Sequence, residues 1–158
     1  MKNWKHEWKW AIIFTVMMIL WMIMEVSLGY HHEKIAQHAI VTNLVAIPAI
    51  TIFVLAFLQK RKTILNGKMT YMDGVKSGLV MSIIIMLFTP IMQYITATVI
   101  SPDYFQNMID FSVEQNIYTQ VEAESFFNLK MFVVSSTIGS LIMGIVTSAI
   151  VAIFTRKS

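Results

Sequence analysis

The chain of 158 residues contains no cysteine, three prolines and six glycines, and charged residues make up only 13% of it. The absence of cysteine excludes disulfides, zinc–thiolate sites, iron–sulfur clusters and cysteine nucleophiles. The charged fraction is about half that of an average soluble domain. A small globule has too much surface per residue to hide a hydrophobic fraction of 56%. The composition therefore indicates one membrane-embedded domain over residues 1–158.

Four apolar runs are present, and each is long enough to cross a bilayer as a helix, which takes about 20 residues. None alternates polar and apolar residues as a barrel strand does, and none confines its apolar residues to one helical face. We therefore predict an all-α membrane protein, a bundle of four transmembrane helices. The predicted spans cover residues 10–30, 39–58, 77–100 and 131–154.

The basic residues lie at the ends of these runs and give the chain an orientation. Ten of the twelve lysines and arginines fall at the two termini and in the connection between spans two and three. The positive-inside rule then places both termini in the cytoplasm. Because the positive charge follows the membrane topology, it does not indicate nucleic acid as a partner. The ten residues are Lys2, Lys5, Lys9, Lys60, Arg61, Lys62, Lys68, Lys76, Arg156 and Lys157.

A cleaved signal peptide is the alternative interpretation of the first run. The basic start fits a signal peptide, and small residues at 27–29 offer a cleavage point. The apolar stretch before them is longer than the roughly 7–15 residues of a signal peptide. We expect this run to be retained as the first span.

The connection between spans three and four, residues 101–129, contains five acidic residues and no basic residue. This charge fits the side of the membrane opposite the termini. The Ser-Pro-Asp sequence at 101–103 is a helix start with Ser101 as its cap, and Thr119 with Glu122 forms a capping box. We predict a short helical extracytoplasmic cap. Its acidic surface is expected to keep the cap soluble, and attraction of cations or of a basic partner is the alternative.

Small residues recur four positions apart in spans three and four, a spacing that lets helices approach closely. Packing within the bundle is the simpler interpretation. Formation of a homo-oligomer or binding of a membrane protein partner is the alternative, and the lipid bilayer is the surrounding medium in both. The predicted packing residues are Gly74, Gly78, Ser82, Gly139, Ser140, Gly144 and Ser148.

Polar residues inside the four spans form the first candidate site. Glu25, Asn43, Gln93 and Ser136 lie four to seven residues from the same end of their spans, and so at a similar depth. A hydrogen bond from an amide, or protonation, would reduce the cost of placing Glu25 there. The layer is either hydrogen-bonding glue between helices or an outward-facing pocket in which Glu25 handles a cation or a proton.

Three histidines follow Glu25 at the predicted turn between spans one and two. A metal ion needs three or four ligands about 2 Å from it. His31 and His38 would be about 10 Å apart on a continuous helix, so they converge only if the chain turns between them, as it must here. We predict a wet membrane rim with titrating histidines, no cofactor and no metal, and we keep His32 and His38 as weak candidate ligands.

Motifs of nucleotide-binding proteins, zinc proteases and serine hydrolases are absent, so we expect no catalytic residue and no enzymatic activity. Two functional hypotheses remain. The first is a non-enzymatic membrane protein that packs with a partner or with itself. The alternative is a small cation- or proton-handling membrane protein that uses Glu25.

The stretches WMIMEVSLGYHHEKIAQH, TNLVAIPAI, GKMTYMDGVKSG, ISPDYFQNMI and AESFFNLK together resemble a family of small bacterial membrane proteins, the domain of unknown function of family 4199. The resemblance covers nearly the whole chain and implies a four-span protein of the bacterial inner membrane. Glu25, His32 and His38 match the first family motif. The family pattern has one histidine where this chain has two, so His31 looks less like a shared ligand. The resemblance implies no catalytic or binding role.

Overall fold

The computed structural model describes residues 4–157, so Lys2 of the predicted orientation lies outside the described residues. The prediction of an all-α protein is confirmed: within this range a single bridge between Met69 and Lys157 is the only β-type pairing. A π-helical turn, Thr96–Ile100, extends α4. The helices are α1 (Lys5–Ser27), α2 (Ile35–Asn43), α3 (Ala46–Thr63), α4 (Tyr71–Ile95), α5 (Tyr104–Glu114), α6 (Gln120–Phe126) and α7 (Leu129–Thr155).

Four helical segments are long and apolar enough to cross a membrane, as the sequence predicts for a multi-pass membrane protein. Large apolar side chains such as Leu20, Leu87 and Phe154 are exposed on these segments. Lipid rather than water satisfies such a surface. Each segment begins before its predicted span because the helical backbone continues into polar residues beyond the apolar run. The segments are Lys5–Ser27, Ile35–Thr63, Tyr71–Ile100 and Leu129–Thr155.

The second of these segments is broken between α2 and α3, at Leu44 and Val45. Pro48 accounts for the position of the break, because proline has no N–H to donate to the carbonyl of Leu44 and its ring clashes with that carbonyl. The side chain of Asn43 donates to the carbonyl of Ala39 at 2.6 Å. It thereby satisfies one of the carbonyls that the end of α2 leaves without a helical donor.

The described chain divides into two compact units. The first unit contains the residues up to Met17, Ala46–Phe88 and the residues from Ile138 onward. The second unit contains Met18–Val45 and Thr89–Thr137. The apolar core of the first unit is built around large buried side chains of α3 and α4, including Phe53, Phe57, Met81 and Ile84.

A buried carboxylate, Glu7, lies in the first unit and is only 1% exposed. It accepts hydrogen bonds from the ammonium of Lys60 and, at 2.8 Å, from the hydroxyl of Ser77. Both donors are needed because an uncompensated buried charge costs several kcal/mol. Glu7 is thus neutralised by the chain itself, a role that the sequence analysis does not predict.

The small residues of α4 and α7 bring these two helices into close contact within the first unit. A Cβ atom on Gly78 would lie 2.0 Å from the Oγ of Ser148 and 2.3 Å from its Cβ. A Cβ atom on Gly144 would lie 2.3 Å from the Oγ of Ser82. Glycine is required at both positions because any side chain there would force the helices apart.

Three other predicted packing residues differ in their surroundings. A Cβ atom on Gly74 would lie 2.8 Å from the Cβ of Ala152, so Gly74 belongs to the same contact. A Cβ atom on Gly139 would meet no other atom within 4 Å. Ser140 is half-buried. The close contact between the two helices therefore does not require glycine at position 139.

Exchange of Gly78 for alanine is expected to destabilise the protein. The added methyl group overlaps Ser148, and overpacking of this kind costs about 1–3 kcal/mol. Gly139→Ala is the matched control, because it adds the same methyl group to the same class of helix where space is open, and alanine favours a helix. Thermal unfolding in detergent should show a lower midpoint for Gly78→Ala and no decrease for Gly139→Ala. Equal midpoints would contradict the proposed close contact.

The predicted capping box at the start of α6 is confirmed. The hydroxyl of Thr119 accepts from the backbone N–H of Glu122, and the carboxylate of Glu122 accepts from the backbone N–H of Thr119 at 2.9 Å and from its hydroxyl at 2.7 Å. These donors favour the charged carboxylate, so they lower the pKa of Glu122 below its ordinary value of 4.5.

The stability of this helix start is expected to depend on pH. A carboxylate with a lowered pKa stabilises the folded state fully above its unfolded pKa of 4.5, and this contribution is lost as the pH falls through the lower folded pKa. Thr119→Ala should raise the pKa of Glu122 toward 4.5, measured by carboxyl NMR titration in micelles. Gln120→Ala is the control, because the side chain of Gln120 donates to Glu124 rather than to Glu122. An unchanged Glu122 pKa in Thr119→Ala would refute this account.

Candidate functional site

The candidate site begins where α1 ends in a Schellman motif. The N–H of Tyr30 donates to the carbonyl of Glu25 at 2.9 Å, and the N–H of Gly29 donates to the carbonyl of Val26 at 3.0 Å. Gly29 has a φ of +83°, a left-handed conformation that glycine adopts without a Cβ clash. The chain reverses here, and His31 comes back beside Glu25.

Three titratable side chains converge at this reversal. Glu25 is 0% exposed and His31 is 2% exposed. The Oε2 atom of Glu25 lies 3.5 Å from Nε2 of His31 and 3.8 Å from Nε2 of His38. One ligand atom from each of the three residues lies within 4.8 Å of the others. We call Glu25, His31 and His38 the EHH cluster.

Partners outside the EHH cluster contact one oxygen of Glu25 and one nitrogen of His31. The indole N–H of Trp21 donates to Oε1 of Glu25 at 2.8 Å. The Oγ of Ser101 lies 3.0 Å from Nδ1 of His31. Three further atoms, Glu25 Oε2 and Nε2 of both histidines, are buried and make no hydrogen bond within the described structure. Three buried polar atoms therefore face one another without a hydrogen bond between them.

Tyr104 covers the two imidazoles from the start of α5. Its ring centroid lies 4.8 Å from that of His31 and 5.3 Å from that of His38. Burial raises the pKa of the Tyr104 phenol to about 12, and the nearby charge of Glu25 acts in the same direction. Phe132 packs against Tyr104 with a centroid separation of 5.9 Å. The cluster is therefore shielded by aromatic rings.

The structure selects a different pair of histidines from the one that the sequence analysis favours. His38 belongs to the cluster, but its companion is His31, while His32 is exposed. The imidazole of His32 lies 2.9 Å from the side-chain amide of Asn107, which also donates to the carbonyl of His31 at 2.9 Å. The reason is geometric: adjacent residues in the turn point in different directions, and only the first points inward.

The polar contacts of Glu25 within the described structure do not include the other three residues of the predicted polar layer. Asn43 is exposed and bonds within its own helix, and Gln93 and Ser136 are half-buried. The polar partners of Glu25 in the described structure are Trp21 and the two histidines. A similar depth in the membrane does not bring side chains together, because depth leaves the rotation of each helix undetermined.

Two residues that support the site, Ser101 and Tyr104, are not assigned to it by any local pattern in the sequence. Ser101 is predicted to cap the next helix, but this prediction is wrong: α5 has Asp103 at its N-cap position and no side-chain cap, and Ser101 contacts His31 instead. Tyr104 carries no local signal of its role. The four-residue spacing of Trp21 and Glu25 is a usable signal, since such residues share a helical face.

Loss of Asn107 is expected to loosen α5 from the histidine turn. Asn107→Ala removes two contacts of 2.9 Å, and each such hydrogen bond contributes about 0.5–1.5 kcal/mol. Gln106→Ala is the control, because Gln106 bonds to Asp110 within α5. Amide hydrogen exchange by mass spectrometry should be faster over α5 and the turn in Asn107→Ala only. Equal protection in both variants would show that Asn107 does not hold these segments together.

Comparison with known proteins places the whole EHH cluster inside one family match. The model of the family described as "Protein of unknown function (DUF4199)" matches residues 9–157. No curated protein and no solved structure matches the chain. The match includes every residue from Trp21 to Asn107 described above, and it confirms the resemblance found in the sequence. The chain belongs to the DUF4199 family.

Proposed function

We propose that this multi-pass membrane protein binds a cation in the EHH cluster. One observation carries the proposal: Glu25 Oε2, His31 Nε2 and His38 Nε2 are buried, face one another and have no hydrogen-bond donor within the described structure. A buried polar atom without a partner costs about 1–3 kcal/mol, and a charged one costs more. A cation among these atoms would satisfy all three at once.

The comparison with Glu7 supports this proposal. Glu7 is equally buried, but Lys60 and Ser77 donate to it, so its charge needs nothing from outside the chain. Glu25 accepts a hydrogen bond from Trp21 on Oε1, and its other oxygen, Oε2, accepts none within the described structure. Among the described residues, Lys60 and Ser77 donate hydrogen bonds to Glu7, whereas Oε2 of Glu25 accepts no hydrogen bond.

A proton satisfies the EHH cluster less well than a cation. The separations of 3.5 Å and 3.8 Å between Glu25 Oε2 and the imidazole nitrogens exceed the roughly 2.7–3.2 Å of an N–H···O hydrogen bond. Protonation of one imidazole would neutralise Glu25, but its N–H would still have to reach Oε2 over one of these long separations. We therefore favour cation binding over proton handling and over interhelical glue.

The proposed setting is a bacterial inner membrane with both termini in the cytoplasm. The distribution of lysine and arginine supports this orientation, which would place the EHH cluster toward the outer face, beside the acidic connection of residues 101–129. We propose binding without catalysis, because the cluster is buried beneath Tyr104 and the sequence contains no catalytic motif. Association with a second copy or with a membrane partner stays a prediction.

Cation binding is tested with the full-length chain in detergent. After dialysis against a mixture of Na⁺, K⁺, Mg²⁺, Ca²⁺, Mn²⁺ and Zn²⁺, elemental analysis should find an equimolar cation retained by the wild-type protein. Glu25→Gln should retain much less, because an amide oxygen carries no charge. Glu33→Gln is the matched control, since Glu33 is an exposed carboxylate of the same turn.

Two results would overturn the proposed function. One is the absence of any retained cation in the wild-type protein. The other is equal retention by Glu25→Gln, with size-exclusion chromatography showing that both proteins are folded and monodisperse.

A further inference from the structure

We infer that the cation is a divalent transition metal ion of the zinc type, rather than an alkali or alkaline-earth ion. This inference rests on the proposed function and names the class of ion that the EHH cluster takes. Three features of the cluster carry it: the kind of donor atoms, their separations and the groups that hold them.

The donor atoms are two imidazole nitrogens and one carboxylate oxygen. Ca²⁺ takes six to eight oxygen ligands, and Mg²⁺ takes six and keeps several waters. The cluster offers one carboxylate, so it cannot supply such a shell. Imidazole suits Zn²⁺, Cu²⁺, Ni²⁺ and Fe²⁺, and two histidines with one glutamate are a known donor set for Zn²⁺ with three protein ligands.

The two separations from Glu25 to the imidazoles are close to those around a small four-coordinate ion. Zinc–nitrogen and zinc–oxygen bonds of about 2.0–2.1 Å at tetrahedral angles place two ligand atoms about 3.3–3.4 Å apart. Glu25 Oε2 lies 3.5 Å from one imidazole nitrogen and 3.8 Å from the other. Glu25 Oε2 therefore needs to approach each imidazole nitrogen by only a few tenths of an ångström. The three ligand atoms all lie within 4.8 Å of one another, and rotation of the imidazoles would bring the two nitrogens closer around an ion.

Ser101 and Trp21 contact His31 and Glu25 on the atoms that would not bind the metal. An Nδ1–H of His31 that donates to Ser101 Oγ, 3.0 Å away, leaves Nε2 without a proton and able to bind a metal. Trp21 occupies Oε1 of Glu25 and leaves Oε2 free. Metal-binding histidines and carboxylates are regularly oriented by such second hydrogen bonds.

The cluster supplies three protein ligands, one fewer than a tetrahedral ion takes. The described part of the chain brings three metal-ligating side chains together here. Zinc sites with three protein ligands keep a water or another exchangeable molecule in the fourth position, whereas structural sites usually have four protein ligands. The geometry therefore points to an ion that keeps one exchangeable ligand.

Titration with Zn²⁺ and Co²⁺ tests the inference on full-length protein stripped of metal by a chelator. We expect one Zn²⁺ per chain. Co²⁺ should give the intense visible absorption of a tetrahedral site, which Zn²⁺ abolishes and excess Ca²⁺ or Mg²⁺ does not. X-ray absorption of the Zn²⁺-loaded wild-type protein should show two imidazoles at about 2.0–2.1 Å, a readout that needs no variant.

Variants then assign the ligands and their supports. His31→Gln and His38→Gln should each weaken Zn²⁺ binding by more than about 100-fold, since each removes a ligand rather than a support. The exposed neighbour variant His32→Gln should bind as the wild type does. Ser101→Ala should weaken Zn²⁺ binding by about 10- to 100-fold in a protein that size-exclusion chromatography shows to be folded and monodisperse. Folded His31→Gln and His38→Gln variants with wild-type affinity would overturn the assignment.

The outcomes separate this inference from the proposed function. Retention of Na⁺, K⁺, Mg²⁺ or Ca²⁺ that depends on Glu25, with no tetrahedral Co²⁺ spectrum, would leave cation binding standing and overturn the transition-metal assignment. An X-ray absorption spectrum without imidazole ligands would have the same consequence. The absence of any retained cation would overturn both.

Discussion

A carboxylate removed from water must be neutralised, and in this protein two nearly fully buried glutamates meet that constraint differently. Glu7, in the first unit, is held by an ammonium and a hydroxyl that belong to the same unit. Glu25, in the second unit, directs one oxygen to an indole and the other to two imidazoles. Imidazole nitrogens do not neutralise a carboxylate unless they are protonated, so under the proposed function a bound cation supplies the missing positive charge. We therefore expect the proposed cation binding at Glu25 and not at Glu7, whose charge is neutralised by Lys60.

The contact between α4 and α7 contains buried hydroxyl groups, which also need hydrogen-bond partners away from water. Ser82 donates to the carbonyl of Gly78 at 2.7 Å, and Ser148 donates to the carbonyl of Gly144 at 2.6 Å. Each hydroxyl is satisfied within its own helix, so neither is needed as a hydrogen bond between helices. The two serines act as small side chains, and the energy of the contact comes from close packing, as is usual where lipid competes with the helix surface.

Local patterns in the sequence predict the elements but not the site. The four spans follow from apolar length, and the start of α6 follows from two residues three positions apart, Thr119 and Glu122. Glu25 and the need for a turn after it were also predictable. The choice of His31 over His32 was not, because it depends on the direction in which the chain leaves Gly29. The contact between His31 and Ser101 joins residues seventy positions apart, and no local rule reaches that far.

The distance in sequence between the ligands and their supports sets an order of events during biosynthesis. Glu25, His31 and His38 lie in one hairpin and are synthesised within fourteen residues of one another, counting from 25 to 38. Ser101 and Tyr104 leave the ribosome only after a further helical pair has been made. A nascent hairpin therefore has all three donors before anything fixes the tautomer of His31 or covers the imidazoles. Under the proposed function, tight binding of a cation would wait for the later half of the chain, and a truncated product would carry the three donors without their supports.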